Sequence, residues 1–136
     1  MIVDTSALVA VSRKEEHFEP LLDAMIEGEP IVPAPVLVEY HRVTALGDNR
    51  PDPDAEALIA GLIEQGAFVS PFDQADAEVA VAANPTYGNG NGQGGRLNML
   101  DLMVYAVAKR TGLPILCTGR DFAGTDAKIH PASRTI

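Results

Sequence analysis

Four short apolar runs punctuate the chain at wide intervals, at residues 1–3, 31–32, 67–69 and 115–117. Each is too short and too apolar for anything but a strand inside a core. Two segments of helical patterning separate each run from the next. Parallel strands need such crossovers, so the alternation points to an α/β fold: a short parallel sheet of four to five strands flanked by helices on both faces. The expected order is β-α-α-β-α-α-β-α-α-β, with residues 128–130 as the candidate fifth strand.

The helices are read from spacing and caps. Ser6 is placed to cap a helix over 7–12, with Asp4 and Ser6 both readable as cap residues alone, and Phe18, Leu21, Leu22, Met25 and Ile26 form one apolar stripe on a helix over 16–27 that Gly28 stops. Pro35 suits the first turn of a helix over 36–46, in which Val36, Tyr40 and Val43 share a face and Glu39 flanks it. A helix over 54–64 turns Ala57, Leu58, Leu62 and Ile63 inward, and Asp73 caps one over 74–83 lined by alanines and valines. Asn98 caps the last helix, whose apolar stripe is Leu97, Leu100, Val104, Val107 and Ala108. Asp101 thereby falls in a first helical turn, where the helix dipole favours a carboxylate. Thr111 and Gly112 end that helix, and Pro114 prevents its resumption. Residues 84–96 (NPTYGNGNGQGGR) read as a flexible loop that meets neither nucleotide-cradling glycine fingerprint. Tyr87 and Arg96 within it are placed either to touch a substrate or simply to be solvated loop residues, the second reading being favoured.

With 136 residues, 46% of them hydrophobic, the chain is long enough to bury a core and forms a single domain over 1–136. No apolar run approaches a membrane span, and an acid stands where a signal peptide needs positive charge, so a soluble cytoplasmic protein is expected. The lone cysteine, Cys117, lies in a predicted strand and reads as a small packed hydrophobe. A net charge of −9 argues against non-specific nucleic-acid binding unless several acids converge on a cation.

Four acids occupy positions that favour such convergence. Asp4 follows the first strand, Glu39 lies on the helix after the second, Asp101 sits at a helix start, and Asp121 follows the fourth strand. A parallel sheet presents the carboxyl ends of its strands at one edge, so residues remote in sequence meet there. Clustered carboxylates repel one another, and a hard divalent ion relieves the repulsion. Mg²⁺, with Mn²⁺ as substitute, fits better than zinc, because His17, His41 and His130 have no ligand spacing.

The segments MIVDTSALVA, VLVEY and LNMLDLMVYAVAKRTGLPILCTGRDF with the following TD resemble the PIN-domain ribonucleases, and among them the VapC-type toxins of toxin–antitoxin modules. The resemblance spans nearly the whole chain, including the order of the acids. It implies a metal-dependent endoribonuclease with Asp4 and Asp101 as direct metal ligands and Glu39 and Asp121 completing the catalytic acidic pocket. It also implies a homodimer inhibited by a cognate antitoxin, RNA as substrate, and Thr5, Ser6 or Thr118 orienting groups around the ion. An antitoxin Arg or Lys reaching into the acidic pocket suits such a partner.

Two features depart from the pattern. Leu100 stands before Asp101 where many relatives carry a small residue, and the 84–96 loop is long. Asp126 competes with Asp121 for the fourth position, with Asp121 favoured because it lies nearer the strand end. The alternatives are a non-toxin PIN nuclease in RNA processing and a PIN-like binding module without turnover. A haloacid-dehalogenase-type phosphatase is disfavoured, since Ser6 stands where its second acid belongs.

Overall fold

Strand β1 (Ile2–Val3) lies inside the sheet, and the chain is wound around it. The computed structural model describes residues 1–135. With β2 (Ile31–Pro33), β3 (Phe68–Ser70) and β4 (Ile115–Leu116), β1 forms a four-stranded sheet in the order β3-β2-β1-β4, every pair parallel. Ile2 stands opposite both Ile31 and Ile115, and Val3 opposite Leu116. Successive strand residues face opposite ways, and Ile2 and Val3 are both 0% exposed, so both faces of the sheet are covered. That is the α/β architecture expected.

The candidate fifth strand shrinks to a single bridge between Ile115 and Ile129. Pro131 has no N–H to continue the ladder, and the chain turns at once, with Ser133 N–H donating to the His130 carbonyl at 2.9 Å. The Ser133 hydroxyl takes over where pairing stops: it accepts from Cys117 N–H and donates to the Ile115 carbonyl, both at 3.1 Å.

Helix α1 (Thr5–Ser12) starts two residues before the expected 7–12, because Asp4 and not Ser6 is its N-cap. Helix α2 (Glu19–Glu27) starts later than residue 16, since His17 takes φ of 62° and Pro20 sets the first turn. Leu21 and Met25 are buried on it, whereas Ile26 faces outward. On α3 (Ala34–Thr44) the buried stripe steps by four through Val36, Tyr40 and Thr44, leaving Val43 45% exposed instead of inward. A single 3₁₀ turn at Gly47–Asn49 leads to α4 (Pro53–Glu64). This helix buries Ala55, Ile59 and Leu62, so the expected inward Ala57 and Ile63 are exposed. The Tyr40 hydroxyl selects that face by donating to the Ala55 carbonyl at 2.8 Å.

Helix α5 (Gln74–Tyr87) runs past residue 83 and through Pro85. The proline lies in the final turn, where it costs only the bond to Val81 C=O, and Val81 is 73% exposed and open to water. Helix α6 (Met99–Thr111) packs mainly on α5, and Gly112 ends it at φ 71°. Cys117 is buried, as expected of a packed hydrophobe, and that burial pushes its thiol pKa up to about 12.

Candidate active site

Two caps bring the first pair of acids into one cleft. Asp4 leaves β1 with extended backbone, and its Oδ2 accepts from Ser6 N–H at 3.1 Å and from Ser6 Oγ–H at 2.5 Å. Asp101 forms a capping box with Asn98: its N–H donates to Asn98 Oδ1 at 2.8 Å, and its Oδ2 accepts from Asn98 N–H at 3.0 Å. Each acid commits one oxygen to its own helix start, which sets the direction of the other.

Ser6 also ties the site across the sheet. Its hydroxyl oxygen accepts from the backbone N–H of Thr118 at 3.0 Å, joining the carboxyl end of β1 to that of β4. Asp121 follows three residues after Thr118. Glu39 reaches the same place from α3. Asp4, Glu39, Asp101 and Asp121 thus line one cleft of about 330 Å³ with Thr5, Ser6 and Thr118.

Sequence reasoning missed a fifth acid in the cleft wall, Glu15. It arrives there because α1 closes in a Schellman turn: Lys14 adopts φ of 49°, Glu15 N–H donates to Ala10 C=O, and Lys14 N–H donates to Val11 C=O. A lysine in the position that usually takes glycine hides the turn from sequence. Val43, missing from the core stripe, is here too, with Val9 and Phe122 as apolar walls.

Asp126 goes elsewhere. It accepts from the Tyr105 hydroxyl at 2.5 Å and pairs with Lys109 Nζ at 3.1 Å, outside the cleft. Among the described residues no Lys or Arg lines the cleft, though guanidiniums pair with two of its acids: Arg96 Nε on Asp121 Oδ1 at 3.2 Å and Arg134 Nη2 on Glu15 Oε2 at 3.3 Å. The 84–96 segment is likewise more built than a flexible loop. Asn91 Nδ2 donates to the carbonyls of Pro85 and Thr86, and its Oδ1 accepts from Gln93 N–H and Gly95 N–H.

The electrostatics are those of carboxylates held close without neutralisation. Burial pushes the Asp101 carboxyl up to about 7, the Asn98 N–H opposes it, and the charges of Asp4, Asp121 and Glu39 add to it. Burial also raises Asp4, against the hydrogen bonds from Ser6, and Glu39 raises it further. Among the described residues no three His, Cys, Asp or Glu side chains close on one point as an ion's ligands. The donor chemistry nonetheless fits a hard divalent cation. The cleft offers carboxylate and hydroxyl oxygens with no histidine, and the Thr5 Oγ1 in its wall is buried without a hydrogen-bond partner. Of the four acids, Asp4 is buried, Glu39 and Asp101 are half-buried and Asp121 is exposed.

A short parallel sheet gathers these acids at its carboxyl edge, and comparison with known proteins identifies the class of domain that carries them. Residues 1–128 match the PIN domain family. Ribonuclease VapC42 of Mycobacterium tuberculosis is 39% identical over 135 residues, covering 97% of this chain and 98% of that protein. Ribonuclease VapC28 of the same organism is 33% identical over 126 residues, covering 92% and 93%. Among solved structures, a toxin–antitoxin complex from Klebsiella pneumoniae superposes with a TM-score of 0.70 at 18% identity, covering 96% of each chain, which shows the shared fold. The chain belongs to the PIN-domain family, in its VapC branch.

Proposed function

We infer that the protein is a Mg²⁺- or Mn²⁺-dependent endoribonuclease that hydrolyses RNA phosphodiesters and acts as the toxin of a type II toxin–antitoxin pair. The observation that carries this reading is the single cleft shared by Asp4, Glu39, Asp101 and Asp121. The names of its VapC relatives, which are ribonucleases, support RNA as substrate, and the toxin–antitoxin complex that shares its fold favours a toxin over a non-toxin nuclease. A binding module without turnover has less support, because all four acids meet in the cleft.

Asp4 and Asp101 would hold the ion through the oxygens left over from capping, with Glu39 and Asp121 completing the set. The ion supplies charge neutralisation at the attacked phosphate and a more acidic water. The protein's part is positional. Ser6 holds Asp4 against Thr118, Asn98 holds Asp101, and Thr5 has a hydroxyl hydrogen free to donate to water or a phosphate oxygen in the cleft. Asp101 must shed its proton to act as a ligand.

The partner reading is a cognate antitoxin and a homodimer. It is supported by an exposed apolar strip between α3, α5 and α6, where Val38, Val81 and Met99 are each about 70% exposed in two adjoining grooves. No helix among the described residues is long and apolar enough to cross a membrane, which agrees with a proposed cytoplasmic location.

The test is RNA cleavage by the purified chain with and without added Mg²⁺ or Mn²⁺, beside Asp4→Asn. Ion-dependent cleavage that the variant lacks is expected, and equal cleavage by both would refute the site. For the toxin role, expression alone should arrest growth and co-expression of an adjacent antitoxin frame should relieve it. Harmless expression of an active enzyme would point to the non-toxin nuclease.

A further inference from the structure

A second hollow, of about 140 Å³, opens beside the acidic cleft, and Asp121 lines both. Its walls come from the end of α5 and the glycine-rich loop: Tyr87, Gln93, Gly95 and Arg96, closed opposite by Thr125. We propose that this hollow is a subsite for the RNA nucleotide flanking the scissile phosphate, with Arg96 and Tyr87 as its binding residues and Gln93 reading the base edge. The proposal rests on the ribonuclease reading above.

Three observations carry it. The first is the state of Arg96. Its Nε donates to Asp121, its side chain is 62% exposed, and it makes no other hydrogen bond among the described residues. A guanidinium has five N–H donors, so anchoring through Nε leaves the Nη fork open, the arrangement that grips a phosphate or base edge in bidentate fashion. The cleft itself is lined by carboxylates and no cation, so an incoming polyanion finds this charge at its edge.

The second observation is the aromatic wall. The Tyr87 ring packs on buried Tyr105 with centroids 5.4 Å apart, and its remaining surface lines the hollow. Single-stranded RNA is recognised by bases stacked on such rings and read along their edges by amides. Gln93 supplies the amide, and its side chain makes no hydrogen bond among the described residues.

The third is that the hollow is preformed. The four hydrogen bonds of the Asn91 side chain hold the loop against the end of α5. A Cβ on Gly95 would stand 2.3 Å from the Gly88 carbonyl oxygen, so glycine is required for that closure.

The test is steady-state cleavage of short single-stranded RNAs that differ only in the base next to the cut, by wild type, Arg96→Ala, Arg96→Lys and Gln93→Ala. Arg96 and Gln93 are exposed, and the Arg96–Asp121 pair is a surface pair, so the variants should fold. Arg96→Ala is expected to raise KM about tenfold with kcat within about threefold, Arg96→Lys to recover part of the loss, and Gln93→Ala to flatten the base preference. Unchanged KM and base preference in all three would overturn the proposal, as would loss of antitoxin binding with RNA kinetics untouched. Fluorescence anisotropy of the same RNAs on Asp101→Asn protein reads the subsite without turnover. There, adding Arg96→Ala should weaken binding about tenfold, and equal binding overturns the subsite even if the wild type cuts no RNA.

Discussion

The hydroxyl of Ser6 accepts the backbone N–H of Thr118 at 3.0 Å across 112 residues of sequence, while donating to Asp4 at 2.5 Å. One side chain therefore aligns the carboxyl ends of the two strands that carry Asp4 and, three residues past Thr118, Asp121. Replacing it removes an acceptor from a part-buried amide and a donor from a buried carboxylate. Ser6→Ala should cost about 1–3 kcal/mol in denaturant unfolding and lower cleavage at unchanged ion concentration. A variant as stable and active as wild type would show that the bridge is incidental.

Asp101→Asn should separate function from stability. The asparagine keeps an oxygen for Asn98 N–H, so the capping box survives, but the charge that burial and three neighbouring acids disfavour is gone. At pH 8 and without divalent ions the variant should melt at or above the wild-type temperature while losing RNA cleavage. A large drop in melting temperature would mean that the Asp101 carboxylate is needed by the fold.

The raised Asp101 pKa has a defined pH signature. Between the ordinary carboxylate value of 3.8 and about 7 the folded protein holds a proton that the unfolded chain has lost, so this group withdraws stability as pH rises through that window. An ion that needs the deprotonated form must displace that proton below about pH 7. Mg²⁺ or Mn²⁺ affinity, measured by calorimetry or thermal shift, should rise by up to about tenfold per pH unit below 7 and level off above it. A flat profile from pH 5 to 8 would exclude Asp101 as a ligand.

Asp126 and Asp121 should differ sharply in their response to the same change. Asp126 is held below the usual carboxylate range, first by the Tyr105 hydroxyl and then by Lys109, so its contribution is present above pH 4 and fades as pH falls through the lowered value. Asp126→Asn should cost no more than about 1 kcal/mol and leave cleavage within about twofold. Asp121→Asn should depress cleavage far more. The reverse ranking would move the fourth acid to Asp126.

Much of this was legible without coordinates, because it depends on local chemistry. Short apolar runs flanked by caps and glycines give strands and helices wherever they occur, and Asn98, Asp73 and Gly112 all act as their types and positions require. The order of four acids at strand ends and helix starts follows from that pattern, since a parallel sheet collects such ends on one edge. What stayed hidden depends on contacts between distant segments. The Tyr40 hydroxyl decides which face of α4 is buried. Lys14 takes a left-handed conformation that its type does not announce and swings Glu15 into the cleft. Asp126 leaves the contest with Asp121 only when Tyr105 and Lys109 come within reach of it. Propensity and patterning are properties of neighbours in sequence, whereas the choice of partner for a buried hydroxyl or carboxylate is made by whatever the fold brings alongside.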